Sequence, residues 1–260
     1  MKGISFYFGY NIKCRERAEI IKKAGFDCVI TNADPTFNKS NGSIRKQVKT
    51  FKRLGIKLSS LHMTYKEKEL PNFFLDNKIG EKIERRIIKD LHIAKKYGFT
   101  CVVVHLSGND SAIGFNRLDR ILKVCEKLDV PIALENLDAN KELLMKIFDN
   151  YSSKYFKFCY DSGHNNCFDP EFDWLSKYAD RLIALHLHDN MGDKDSHTIN
   201  KYGNIDWDKI AMKLSKCNNV NLDYEILMYK RSEETAEEIA RICFQQAVEL
   251  ENKIKFYISR

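Results

Sequence analysis

Six acid or imidazole side chains stand at the ends of six successive apolar runs: His62, His105, Glu135, Asp161, His186 and Glu225. Neutral imidazoles and carboxylates are ligands for Zn²⁺, Mn²⁺ and related divalent ions. Carboxylates buried together repel one another, and a cation removes that cost. The same groups also transfer protons. His164 follows Asp161 by three residues, and Asp195 and His197 follow His186 across a short polar turn. The densest stretch, RLIALHLHDNMGDKDSHTINKYGNIDW over 181–207, carries His188 and Asp189 as well. A loop can begin with lysine, serine or asparagine just as readily, so loop polarity alone does not account for six such ends. Of the seven histidines, His92 stands apart inside a helical pattern and reads as a structural or surface residue.

The runs that these residues terminate are 56–63, 101–106, 130–134, 156–160, 182–187 and 220–224, preceded by two more at 4–10 and 26–31. Amphipathic segments alternate with them, at 14–25, 44–55, 79–98, 115–129, 141–151, 171–179, 206–217 and 232–254. Ile44, Val48, Phe51 and Leu54 keep the three-four spacing of a helix face, and Gly25, Gly55 and Gly98 mark helix ends. Ser232, with Glu234 and Glu237 behind it, reads as the start of the last helix. Residues 66–77 read as a loop. Eight strand-helix units imply parallel strands with right-handed crossovers. At this length they favour an α/β fold of the (β/α)8 TIM-barrel type, a single domain over 1–260. An open doubly wound sheet is the alternative, and no GxGxxG or P-loop supports it. In a barrel the strand ends converge on one mouth, where such folds hold their active sites.

Composition is that of an ordinary soluble globular protein. Hydrophobic residues make up 43% and charged residues 30%, with four prolines. No apolar stretch approaches the ~18 residues of a membrane span, and the N-terminus is too polar after Tyr10 for a secretory signal, so the expected location is cytoplasmic. The eight cysteines include no CxxC pair and read as buried, reduced thiols. The net charge of +7 is scattered along the chain, which indicates a solvated basic surface before an acidic partner. A homo-oligomer is compatible with all of this.

The segments SSLHMTY, VVVHLSG, IALENLD, FCYDSGH, ALHLHDN, DSHTINKYGNIDW and LDYEI resemble the strand-end motifs of the xylose isomerase-like TIM barrels. That superfamily includes sugar-phosphate isomerases and epimerases and the endonuclease IV DNA-repair enzymes, and the resemblance spans nearly the whole chain. By resemblance to the ketose epimerases, Glu135, Asp161, His186 and Glu225 would hold one divalent metal, Zn²⁺ or Mn²⁺. Glu135 and Glu225 would also move the proton through a metal-stabilised enediolate. His164 would contact a substrate oxygen, with His62 and His105 on the substrate side. The implied partner is a small sugar or sugar phosphate.

Resemblance to endonuclease IV implies up to three zinc ions. Glu135 would bridge two of them, His62 and His105 would serve one, and His164, Asp195 and His197 would hold the third, for attack on a phosphodiester in nucleic acid. Tyr65 and the positive charge agree with that alternative. Gly163, where endonuclease IV usually has cysteine, and short loops after the strands disagree with it. Lys66, Lys68, Lys194, Lys201, Lys230 and Arg231 would suit DNA or a sugar phosphate equally. A dehydratase, an aldolase-like enzyme or a barrel that only binds ligand are further readings. Asp189 is expected to orient His186 or cap its loop, and His188 has no assigned role.

Overall fold

Strand pairing follows chain order. The computed structural model describes residues 1–34, 39–137, 141–218, 220–228 and 233–260. Its strands are β1 (Lys2–Ser5), β2 (Cys28–Asn32), β3 (Lys57–His62), β4 (Val102–Val104), β5 (Ile132–Glu135), β6 (Phe156–Asp161), β7 (Leu182–His186) and β8 (Leu222–Tyr224). From β1 to β7 each pairs in parallel with the next, and β1 also pairs with β8. Leu187 closes the ring by a parallel bridge to Tyr224. Its N–H donates to the Asp223 carbonyl at 2.8 Å, and its carbonyl accepts from Glu225 N at 2.9 Å. The eight parallel strands thus form a nearly closed (β/α)8 barrel with helices around it, in one domain.

The helices arise where the three-four spacing places apolar groups on one side. In α2 (Ile44–Leu54), Val48 and Phe51 are buried while Arg45, Lys46, Lys49 and Lys52 face outward. Gly55 ends α2 and Gly98 ends α3 (Lys78–Tyr97), with φ of 64° and 86° that other residues seldom adopt. The remaining long helices are α1 (Cys14–Ala24), α4 (Ala112–Leu128) and α5 (Lys141–Asn150) before the site's strands end, then α8 (Trp207–Leu214) and α9 (Ala236–Ile258). Between α5 and α8 lie two short helices, α6 (Ser162–Phe168) and α7 (Trp174–Lys177). Among the described residues no helix is long and apolar enough to cross a membrane.

Several local expectations change. The first strand stops at Ser5 rather than 10: Phe6 keeps one sheet bond, N to Ile30 O at 2.8 Å, and then packs its ring on Phe51 at 4.7 Å. Residues 66–77 contain a 3-10 helix, Glu67–Phe74, because Leu70, Phe73 and Phe74 are buried there. The last helix begins at Ala236 because Thr235 and Glu238 form a reciprocal capping box. Ser232, with Lys230 and Arg231, lies outside the described residues. The connections after β3 and β7, 63–77 and 187–206, are not short.

Side chains two apart on a strand share a face. Below the mouth this face is built from small groups: Cys101, Val103, Ala133, Cys159 and Ala184 form one buried cluster. Further down, Asp223 accepts hydrogen bonds from Ser59 Oγ and Cys28 Sγ. A Cβ on Gly3 would fall 1.9 Å from Asp223 Oδ1, so only glycine leaves room for this carboxyl. All eight cysteines are free, and those beyond Cys167 and Cys217 are fully buried.

Burial pushes the Asp223 carboxyl up to about 6. An acid with a raised folded-state pKa stabilises the fold below its unfolded value, and that contribution is lost as pH rises through the folded value. Asp223→Asn should therefore melt higher than the parent by roughly 2–4 °C at pH 8 and show little difference at pH 4. A pH-independent gap in calorimetric melting temperature would contradict this account.

A candidate metal centre at the barrel mouth

Strand alternation carries the inward face up to the site. Glu135 stands two residues above Ala133, Asp161 above Cys159, His186 above Ala184 and Glu225 above Asp223. His62 ends β3 and His105 follows β4. Asp161 also caps α6, accepting from His164 N at 2.7 Å. His164 therefore sits in the first turn of a helix rather than in a loop. Asn136 fixes the same corner: its side chain bonds both backbone groups of Asp161, at 2.9 and 2.8 Å, and its carbonyl lies 2.8 Å from His164 Nδ1.

Glu135 is the hub. Its Oε2 lies 2.9 Å from His105 Nε2, 3.1 Å from His186 Nδ1 and 3.8 Å from His62 Nε2, and its Oε1 lies 3.3 Å from His164 Nδ1. Glu225 Oε2 is 3.1 Å from the same His186 Nδ1. Among the described residues five groups bring all their ligand atoms within 4.8 Å of one another; three of them cover the residues singled out above: Glu135, Asp161, His186 and Glu225; His62, His105 and Glu135, which shares Glu135 with the first; and the separate His164, Asp195 and His197. All nine residues singled out in the sequence are thus brought together.

The inner group fits a divalent ion on its own geometry. His186 is completely buried, yet neither ring nitrogen makes a hydrogen bond, although Nδ1 faces two carboxylate oxygens. Buried polar atoms rarely stay unpartnered, and a cation shared with the carboxylates would satisfy this one. A Glu135–Cys159–His186 group also brings its ligand atoms within 4.8 Å of one another, and burial pushes the Cys159 thiol upward.

Electrostatics reinforce the pattern. Burial alone would raise both glutamates. For Glu135, His186 and His105 outweigh it and hold the carboxyl well below the usual range; for Glu225, His186 brings it to about 2. Burial, then repulsion from His105, pushes His62 down to about 4, so it is a neutral donor at pH 7. Burial would also lower His197, but its bond to Asp195 at 3.0 Å raises it to about 9.

Asp189 proves to be a loop anchor. It accepts from Trp207 Nε1 at 2.6 Å and Ile205 N at 3.0 Å, and packs where a Cβ on Gly203 would collide with it. This folds the long connection after β7 back onto the barrel. His188, unassigned in the sequence, is completely buried with its Nε2 3.0 Å from Asp161. Its signal was available: Leu187 still pairs with β8, so His188 shares the inward face with His186. Tyr65 packs between His105 and His62, at 4.7 and 5.2 Å. His92 is exposed on α3. Of the basic candidates, Lys66 and Lys201 already meet Glu69 and Glu234, at 3.8 and 2.9 Å, and Lys68 and Lys194 are exposed.

A family model described as xylose isomerase-like TIM barrel matches residues 18–245. The uncharacterized protein y4fM of Sinorhizobium fredii (strain NBRC 101917 / NGR234) is 26% identical over 246 residues, 80% of this chain and 79% of its own. A D-tagatose 3-epimerase-like protein of known structure gives a TM-score of 0.76 at 20% identity, over 97% of this chain and 99% of its own. The IOLI protein, solved with a binding zinc atom, gives 0.70 at 17% identity, over 100% of both chains. The 3-keto-D-glucoside 4-epimerase of E. coli gives 0.69 at 15%, over 97% of this chain and 100% of its own. At these identities the likeness to the solved structures is one of fold.

A histidine whose folded pKa is raised stabilises the fold fully below its unfolded value, near 6.5, and loses that contribution as pH rises through about 9. Chelator-stripped protein should therefore lose melting temperature between pH 6.5 and 9, by roughly 2–4 °C, and His197→Gln should flatten that fall. An identical slope in the variant would show that the Asp195–His197 pair is not its source.

Proposed function

The chain belongs to the xylose isomerase-like TIM barrel family, and from that premise we propose that it is a divalent-metal-dependent isomerase or epimerase of a sugar or sugar phosphate, one domain over residues 1–260. The observation that carries this reading is the inner group, in which a fully buried imidazole without a hydrogen-bond partner faces two carboxylates. Glu135, Asp161, His186 and Glu225 would hold the ion. When bound, it would supply Lewis-acid polarisation of the substrate's oxygens, which acidifies the neighbouring C–H.

The remaining chemistry belongs to the chain. Glu225 borders a small cleft at the mouth shared with Ser5, Thr31, Asn32, Asn41 and His62. Glu225 would take the proton from carbon, and Glu135 would return or accept one on the other side. A carboxylate held to about 2 is a feeble base toward an ordinary C–H, so proton removal depends on the acidified one. His164, 11% exposed and tied to Asp195 at 3.4 Å, would donate toward the oxygen on which enediolate charge develops. His62 and His105 would meet substrate hydroxyls. The shared fold with a D-tagatose 3-epimerase-like protein and a 3-keto-D-glucoside 4-epimerase supports this class of reaction.

A zinc-dependent endonuclease is the second reading, favoured by the two further ligand groups around the inner one. The pairing of Lys66 and Lys201 with nearby glutamates weighs against a surface kept free for phosphates.

Metal-loaded protein should carry one ion per chain and exchange solvent deuterium into at least one member of a ketose panel. Glu225→Gln, with ion content measured alongside, should lower that exchange by about 10²–10⁴-fold. No exchange across the panel by a loaded sample would sink the isomerase reading. Three zinc ions with incision at abasic sites would move the assignment to the nuclease.

A further inference from the structure

His188 belongs to none of the candidate ligand groups, yet it is as enclosed as any of their members. Its Nε2 lies 3.0 Å from Asp161 Oδ1 and 3.1 Å from Asp161 Oδ2. The next carboxylate oxygen, Asp195 Oδ1, is farther away at 3.6 Å. The other ring nitrogen, Nδ1, is buried with no hydrogen-bond partner. A buried N–H without an acceptor costs more than a buried lone pair without a donor, so the ring proton belongs on Nε2, where Asp161 accepts it.

The ring is held from every side. It stacks on His197 with centroids 3.9 Å apart and planes 17° from parallel. Its backbone is pinned by Ser162, whose Oγ accepts from His188 N at 3.0 Å and donates to His188 O at 2.7 Å. Against its edge lies Gly163. A Cβ there would fall 1.8 Å from His188 Cε1 and 2.4 Å from Nδ1. Gly163 is a helical residue of α6 with no unusual backbone demand, so its lack of a side chain serves the imidazole. Residues 163 and 188 are a matched pair: a side chain at one excludes the ring at the other.

Asp161 needs such support. It must cap α6 through His164 N while turning a lone pair toward Glu135, His186 and Glu225. A carboxylate with two duties is free to rotate between them unless a donor fixes both oxygens. Resting on the metal reading above, we infer that His188, housed by Gly163, is a positioning residue that locks Asp161 in the orientation the inner ion requires.

The test is a zinc titration by calorimetry of chelator-stripped wild type, His188→Leu and His188→Gln, with folding checked by circular dichroism and bound zinc counted by elemental analysis. Leucine fills the space without a donor, and glutamine restores an N–H near the Nε2 position. We expect the leucine variant to bind its first zinc about 10–100-fold more weakly and the glutamine variant to recover most of that loss. A leucine variant with the wild-type isotherm overturns the inference, as does glutamine binding no better than leucine, which would make the role one of packing. If the leucine variant does not fold, long-range nitrogen NMR of the wild-type ring decides: a proton on Nε2 is expected, and an Nε2 without one overturns the inference. Equal zinc binding by all three chains would remove only the role of His188. A wild-type chain that takes up neither zinc nor manganese would remove the metal reading itself.

Discussion

A carboxylate with 1% of its surface exposed cannot remain ionised without donors or positive charge around it. Glu135 is that group, and the fold answers it with imidazoles from β3, the residue after β4, α6 and β7. Only ring closure can do this. In an open sheet, strands three and seven would be separated by four inter-strand steps, about 19 Å at ~4.8 Å each. The rings of His62 and His186 are instead 5.7 Å apart and nearly parallel. The bridge from Leu187 to Tyr224 is therefore a condition of the site as well as of the sheet.

Convergence imposes a cost in the layer below. Inward-facing side chains crowd a narrow bore, and beneath the ligand layer this chain fills it mostly with small groups, Cys101, Val103, Ala133, Cys159 and Ala184, with Gly3 beside Asp223. The acid at Asp223 is the exception, tolerated because Gly3 makes way and Ser59 and Cys28 donate to it. The same economy of volume recurs one layer up, where Gly163 admits the His188 ring. In both places the absence of a side chain makes room for a polar one.

The strand ends were legible because two signals coincide there: the apolar run stops, and the next inward position is a ligand type. Where one signal is missing, legibility fails. Phe6 and Phe8 extend an apolar run but fill the core beyond the end of β1, so burial imitates a strand. Phe73 and Phe74 are buried under a segment that reads as polar loop, because charged residues surround them in sequence but not in space. His188 stands two residues past His186 and shares its face, but its partners Asp161, Ser162 and His197 lie elsewhere in sequence, so its role was not legible. Asp189 could be read only as a loop anchor or an orienting group, since the choice depends on Trp207 and Ile205, which the long connection returns to it.

The same contrast in burial separates the inner and outer groups, and it bears on how many ions the mouth needs. Asp195 is 27% exposed and has two imidazoles within reach, His197 at 3.0 Å and His164 at 3.4 Å. Both of those rings are drawn toward protonation, which neutralises the outer group without a metal. In the inner group Cys159, Glu225 and Glu135 draw His186 toward protonation as well, so the two groups differ in burial rather than in charge. His186 finds no hydrogen bond at either nitrogen, and water has little access to a ring with 1% of its side chain exposed. A proton can balance charge there but cannot supply the missing coordination, because Nδ1 faces two acceptors in geometry that suits neither. On the proposed reading burial, more than charge, marks the inner group as the one that would hold an ion, and it leaves His164, 11% exposed, open to a substrate oxygen.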